Sequence, residues 1–279
     1  MRTKPLVVFS IVVLALTSMA CLGATVTGSV TASPPAAPSV TVAPSATIAP
    51  TAAPAPSATA VTYSAPEDAI TAYFDGVARS DNAQILKACA INEMAEKFRF
   101  DLYTTYLGGY FNPLIALAPA NYPFYVEANR IQLSEQISTR VRLFDYSLLS
   151  SKVVLKDNAI NPITGLDAAA ADAFVKDVDP QRLASIKPEK IAAPDPSVLN
   201  SDRNKQNAAK MAAIYGADDT TERVALFSFE GQEYLAGFTL LRYGQDWKIS
   251  AQVSPLSGLN SQGAAQPTTQ SDFQDLITR

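Results

Sequence analysis

The sequence predicts an α+β fold in which N-terminal amphipathic helices pack on a C-terminal antiparallel β-meander. Three observations lead there. Apolar residues recur at helical spacing between residues 65 and 149, strand-like runs parted by short glycine-containing turns fill 224–253, and capping patterns open the first two helices.

Ser64 and Glu67 have the S-x-x-E spacing of a capping box, Pro66 suits a first helical turn, and Ile70, Tyr73, Phe74 and Val77 form an apolar stripe. Asp81 with Gln84 repeats the pattern for a second short helix bearing Ile85, Leu86 and Cys89. Cys89 reads as core, because nothing nearby marks the electropositive setting of a reactive thiol. Met94, Phe98, Leu102 and Tyr106, spaced by four, predict a third helix ending near Gly108 and Gly109. In 126–149, Leu133, Ile137, Val141, Phe144 and Leu148 fit one helical stripe, although alternation over 140–146 also fits a strand; the longer pattern favours helix. Prolines 162, 180, 188, 194 and 196 break up the next stretch, leaving short helices at 168–175 and after Asp179, then a longer one at 201–215 that stops at Gly216. The meander follows as 224–229, 233–243 and 247–253. In its last strand Trp247, Ile249, Ala251 and Val253 should face inward, with Lys248, Ser250 and Gln252 in solvent. These elements make one domain, residues 65–260, long enough to bury roughly 70 % of its unfolded surface. Residues 261–279 read as a flexible polar tail.

The N-terminus has another character. Arg2 and Lys4 precede an apolar run, 6–20, that ends in Ser18, Met19 and Ala20, the layout of a secretory signal over residues 1–20. The run is shorter than the ~20 apolar residues needed to span a bilayer. Residues 25–64 carry no charge and consist almost wholly of Ala, Pro, Ser, Thr and Val, so 21–64 reads as a disordered, semi-extended tether. With Ala20 before Cys21, the segment resembles a bacterial lipoprotein signal, departing from that pattern at Ser18 and Met19. The resemblance implies acylation of Cys21 and anchorage to the outer face of a bacterial membrane. Cleavage after Ala20 without acylation, releasing a soluble secreted protein, is the alternative.

Removing Arg2 and Lys4 with the signal leaves a formal charge of −6, and no Lys/Arg cluster occurs, which argues against nucleic acid as a partner. The chain has no histidine, which removes Ser-His-Asp and Cys-His catalysis and histidine-based zinc sites. Glu67, Asp68, Asp75 and Asp81 sit where helix capping explains them. Asp167, Asp172, Asp177 and Asp179 lack calcium-loop spacing. No catalytic residue, cofactor or metal is expected.

Pro66 to Ile70 with Tyr73-Phe74, then Ser80-Asp81, resembles the start of nuclear-transport-factor-2-like (cystatin-like α+β) domains, and 243–249 resembles their closing strands. The similarity spans about a third of the domain and implies fold rather than activity.

One concentration stands out. Phe98, Phe100, Tyr103, Tyr106, Tyr110, Phe111, Tyr122, Phe124 and Tyr125 place nine of the 24 aromatics in a short span. Core packing is one reading. The other is a surface for an apolar ligand, a glycan or a protein partner, with Tyr103, Tyr106, Tyr110, Tyr122 and Tyr125 as the contacts. The expected protein is a non-enzymatic, surface-tethered module binding a ligand or partner in the cell envelope. A histidine-free hydrolase using paired carboxylates and a purely structural envelope protein are the alternatives.

Overall fold

The computed structural model describes residues 61–156, 159–160, 162–260 and 263–278. The predicted signal, Cys21 and the tether up to residue 60 lie outside the described residues.

Helix α1, Pro66–Ala78, opens one residue away from the expected box. Ala65 is its N-cap, and the Asp68 carboxylate accepts from the Ala65 amide (3.0 Å) and the Ser64 hydroxyl (3.0 Å). Glu67 is freed from capping and pairs with Arg223 at 2.5 Å, tying the helix to the sheet. Asp81 caps α2, Asn82–Lys87, through the Gln84 amide at 3.0 Å. The third predicted helix is two: α3, Ile91–Lys97, and α4, Phe100–Tyr106, parted at Phe98, whose backbone is extended (φ −58°, ψ 125°). That break turns Phe98 into the interior beside Tyr215, while the Arg99 amide donates to Ile214.

Helix α5, Pro123–Leu149, buries Leu133, Ile137, Val141, Phe144 and Leu148, the stripe read from the sequence. A minimal hairpin, β1 Leu155–Lys156 with β2 Ala159–Ile160, leads to α6, Ala168–Asp177, and a 3₁₀ turn, Pro180–Ser185. Strand β3, Lys187–Ala192, was hidden by Pro188. It is an edge strand with a bulge between Pro188 and Lys190, a place where proline costs no ladder bond. Helices α7, Pro196–Leu199, and α8, Asp202–Ile214, precede β4, Asp219–Phe229, β5, Gln232–Tyr243, and β6, Asp246–Ala251. All are antiparallel in the order β3-β4-β5-β6. The β4–β5 turn has two residues, Glu230 and Gly231, both at positive φ (48° and 83°), the twist that a tight hairpin needs.

The β6 edge is closed by backbone bonds. Ile249 donates to Ala88 O (2.9 Å) and accepts from Ala90 N (2.8 Å), and Trp247 donates to Tyr63 O (2.9 Å). The alternation expected along β6 is broken by this cover and by a register shift that leaves Ser250 unpaired opposite Thr239 and Leu240. Lys248, expected in solvent, is buried, its ammonium on Lys87 O at 2.9 Å and over the Tyr63 ring. Gln252 is buried too.

The sheet carries apolar side chains on both faces. Ala225, Phe227, Ala236 and Phe238 face α1 and α5, where Tyr73, Phe74, Phe144, Phe227 and Phe238 form an aromatic cluster of edge-on and tilted pairs with centroids 5.1–6.2 Å apart. Val224, Leu226 and Leu235 join Leu259 and Phe273 in a second core. Phe273 lies on α9, Gln270–Thr278, reached through β7, Gln266–Pro267, which pairs with the start of β5. The expected flexible tail is therefore corrected from residue 263 onward. Thr269 Oγ1 caps α9 by accepting from Asp272 N at 3.2 Å and donates to Asp272 Oδ2 at 2.9 Å, and Phe273 buries its ring under the sheet.

Candidate functional site

Helix α4 ends at Gly108 and Gly109 (φ 62° and 85°), with Gly109 N donating to Thr104 O at 2.8 Å, a left-handed stop that glycine permits. Residues 110–121 then cross to α5 without regular structure, yet they are pinned. The buried Asn129 side chain accepts from Ala118 N (2.8 Å) and donates to Ala118 O (2.9 Å), and Gln132 Nε2 donates to Ile115 O at 2.9 Å. Asn112 Oδ1 accepts from Leu114 N at 3.0 Å, tightening the loop's first turn. Leu117 and Ala116 are buried as anchors.

What this scaffold presents is aromatic and apolar. Leu114 is 83 % exposed, Phe124 77 %, Tyr122 57 %, Tyr110 54 % and Tyr106 48 %, with Phe111 and Tyr125 also exposed. Phe111 meets Phe100 edge-on at 5.1 Å, and Tyr125 lies 5.5 Å from Phe124 and 6.0 Å from Tyr122. The run 102–126 contains no charged residue. The charges on either side are neutralised locally: Arg99 pairs with Asp101 at 2.9 Å, and Arg130 pairs with Glu127 at 3.0 Å and with Glu96.

Of the five tyrosines named from the sequence, the structure brings Tyr106, Tyr110, Tyr122 and Tyr125 to the surface. Tyr103 is different. It is half-buried against Phe98 at 5.4 Å, and burial first, then Tyr110, pushes its hydroxyl pKa up. Leu114 and Phe124, the most exposed members, were not among the named contacts; the uncharged run around them is the signal that marks them.

A second region is polar and interior. Tyr73 Oη, Asp145 Oδ1 and both amide atoms of Gln252 are buried and make no well-formed hydrogen bond among the described residues, although the Tyr73 hydroxyl lies near enough to the Gln252 amide to interact with it. Burial, then the carboxylate of Asp145, raises the Tyr73 pKa well above that of an ordinary phenol. Burial alone pushes Asp145 up to about 7. Cys89, buried as expected, is pushed up to about 12 by desolvation and is not poised as a thiolate. The cleft lined by Cys89, Met94, Ile137, Arg140 and Ser250 offers about 10 Å³, the room one water molecule takes.

No family model matches this chain, and no curated protein matches it. Among solved structures it is similar to a cystatin-like protein from Ruminococcus gnavus ATCC 29149, with 16 % identity and a TM-score of 0.48 over 74 % of this chain and 45 % of that one. This chain thus spans less than half the length of that protein. The likeness adds nothing about what this chain binds.

Proposed function

We propose that this chain is a membrane-anchored, non-enzymatic binding module of the bacterial cell envelope. Cys21 carries the lipid, and the tether runs from residue 22 to about residue 60 rather than to 64, because Tyr63 is buried and bonded to β6 through Trp247 N and Asp246 Oδ1. The α+β domain, of a cystatin-like and nuclear-transport-factor-2-like kind, presents residues 106–125 to a ligand or partner. The exposure of these aromatics on a loop held by Asn129 and Gln132 carries the reading. Large exposed apolar patches mark interaction sites, since leaving them in water is unfavourable for a folded domain. A purely structural protein would have buried them.

The hydrolase alternative needs two carboxylates facing each other. Glu222 is half-buried, but its Oε2 accepts from Ser254 Oγ at 2.8 Å and Leu256 N at 2.9 Å, which commits it to the 254–256 turn. Asp145 owes its raised pKa to burial, with no neighbouring carboxylate among the causes. Binding therefore fits better than acid and base catalysis.

Intact-mass analysis and detergent partitioning of the full chain from a bacterial host, beside Cys21→Ser, test the anchor. The expected result is a native protein heavier by the acyl groups and recovered with detergent, and a variant that is neither. An unmodified Cys21 at the mature N-terminus would overturn the anchor and move the search to secreted partners.

A further inference from the structure

We infer that the uncharged face formed by residues 106–125 docks directly on the lipid bilayer, so that the partner of this module is the neutral interface of its own membrane. The inference rests on the binding role proposed for this face. Its grounds are chemical. Leu114 and Phe124 are the most exposed apolar side chains of the face, and tyrosines at 106, 110, 122 and 125 accompany them. That is the composition of a membrane-interface anchor, in which apolar tips enter the acyl boundary and tyrosine rings sit at headgroup level with their hydroxyls in water.

Other occupants fit less well. A glycan requires convergent hydrogen-bonding groups beside a ring, yet the Asn129 amide, Asn112 Oδ1 and Gln132 Nε2 are engaged by the loop's own backbone. A partner protein recognised by charge has nothing to pair with, because the run 102–126 is uncharged and its flanking Arg99 and Arg130 are already paired. The same neutrality excludes a requirement for anionic lipid and predicts binding insensitive to salt. An uncharged tether starting at Cys21 would hold the domain near the bilayer at an effective concentration on the order of mM, so weak intrinsic docking suffices.

Flotation of the full-length mature Cys21→Ser chain with phosphatidylcholine vesicles at millimolar lipid tests this without the lipid anchor. The chain should float with the vesicles equally at low and high salt, and added phosphatidylserine should not raise the bound fraction. Leu114→Ser with Phe124→Ser should lower partitioning at least about tenfold, while Val175→Ser, at an exposed apolar position on α6, should leave it unchanged. Circular dichroism of each variant checks the fold. Absence of flotation, flotation only with anionic lipid, or a double variant that floats as well as its parent would overturn the inference. If mass analysis finds Cys21 unmodified and the chain still floats, the anchor fails and the docking face stands; an acylated Cys21 with no flotation of Cys21→Ser gives the converse.

Discussion

Tyr73, Phe74, Phe144, Phe227 and Phe238 come from α1, α5, β4 and β5, far apart in the chain, and folding drives them into one cluster of edge-on and tilted rings. Tyr106, Tyr110, Tyr122, Phe124 and Tyr125 are near neighbours in sequence and face outward. The first group stabilises by removing its area from water, with about 0.5–1.5 kcal/mol more for each favourable ring pair. The second contributes little of that kind. Yet its loop is held by buried side-chain bonds from Asn129, an expense in order that serves presentation rather than packing. Aromatic density along a chain therefore does not distinguish core from surface; the partners supplied by distant elements do.

The contrast can be broken most forcefully at its buried end. Phe227→Ala should cost about 3–5 kcal/mol in urea unfolding, because the ring touches Phe74, Phe144 and Tyr234 and leaves a cavity among rigid neighbours. Phe273→Ala should cost about 3 kcal/mol in the same assay, with truncation before residue 263 costing at least as much, since the second core loses its lid. A free tail would show neither effect.

The interior polar group gives a smaller effect with a defined sign. Folded Asp145 keeps its proton up to about pH 7, whereas in the unfolded chain an aspartate ionises near ~3.9. Between those values the folded state binds the extra proton, so this group's contribution lowers stability as pH rises through the window and levels off above it. Asp145→Asn should therefore stabilise the protein by on the order of 2 kcal/mol at pH 8 and by almost nothing at pH 4. Equal effects at both pH values would mean that Asp145 is ionised in the folded protein throughout. At the exposed end, Phe124→Ser and Tyr122→Ser should change stability by less than about 0.5 kcal/mol. A larger loss would place these rings in the packing and remove the contrast.

Much of the framework was legible. The Leu133 to Leu148 stripe identifies α5, and the turns at Glu230-Gly231 and Gly244 delimit the meander, because local periodicity and turn chemistry agree there with the tertiary demand. Where tertiary contacts override local pattern, the reading failed. Phe98 interrupts a perfect four-residue repeat to reach Tyr215, and the cover over β6 buries Lys248 and Gln252. Pro188 hid an edge strand that tolerates it. The C-terminal helix was missed despite a readable signature, Thr269-x-x-Asp272 followed by Phe273, Leu276 and Ile277, since the polar residues around it suggested fraying. The aromatic segment was recognisable as unusual, but its direction was not. Exposure depends on Asn129 and Gln132 pulling the loop backbone, and not its rings, against α5.

Hydroxyl-radical footprinting of the native protein on its own membranes, compared with Cys21→Ser in solution, tests the occupied aromatic face most directly. The prediction is several-fold lower oxidation at Tyr110, Tyr122, Phe124 and Tyr125 on the membrane, with Val175 unchanged. Equal oxidation at all of these positions in both states would contradict it.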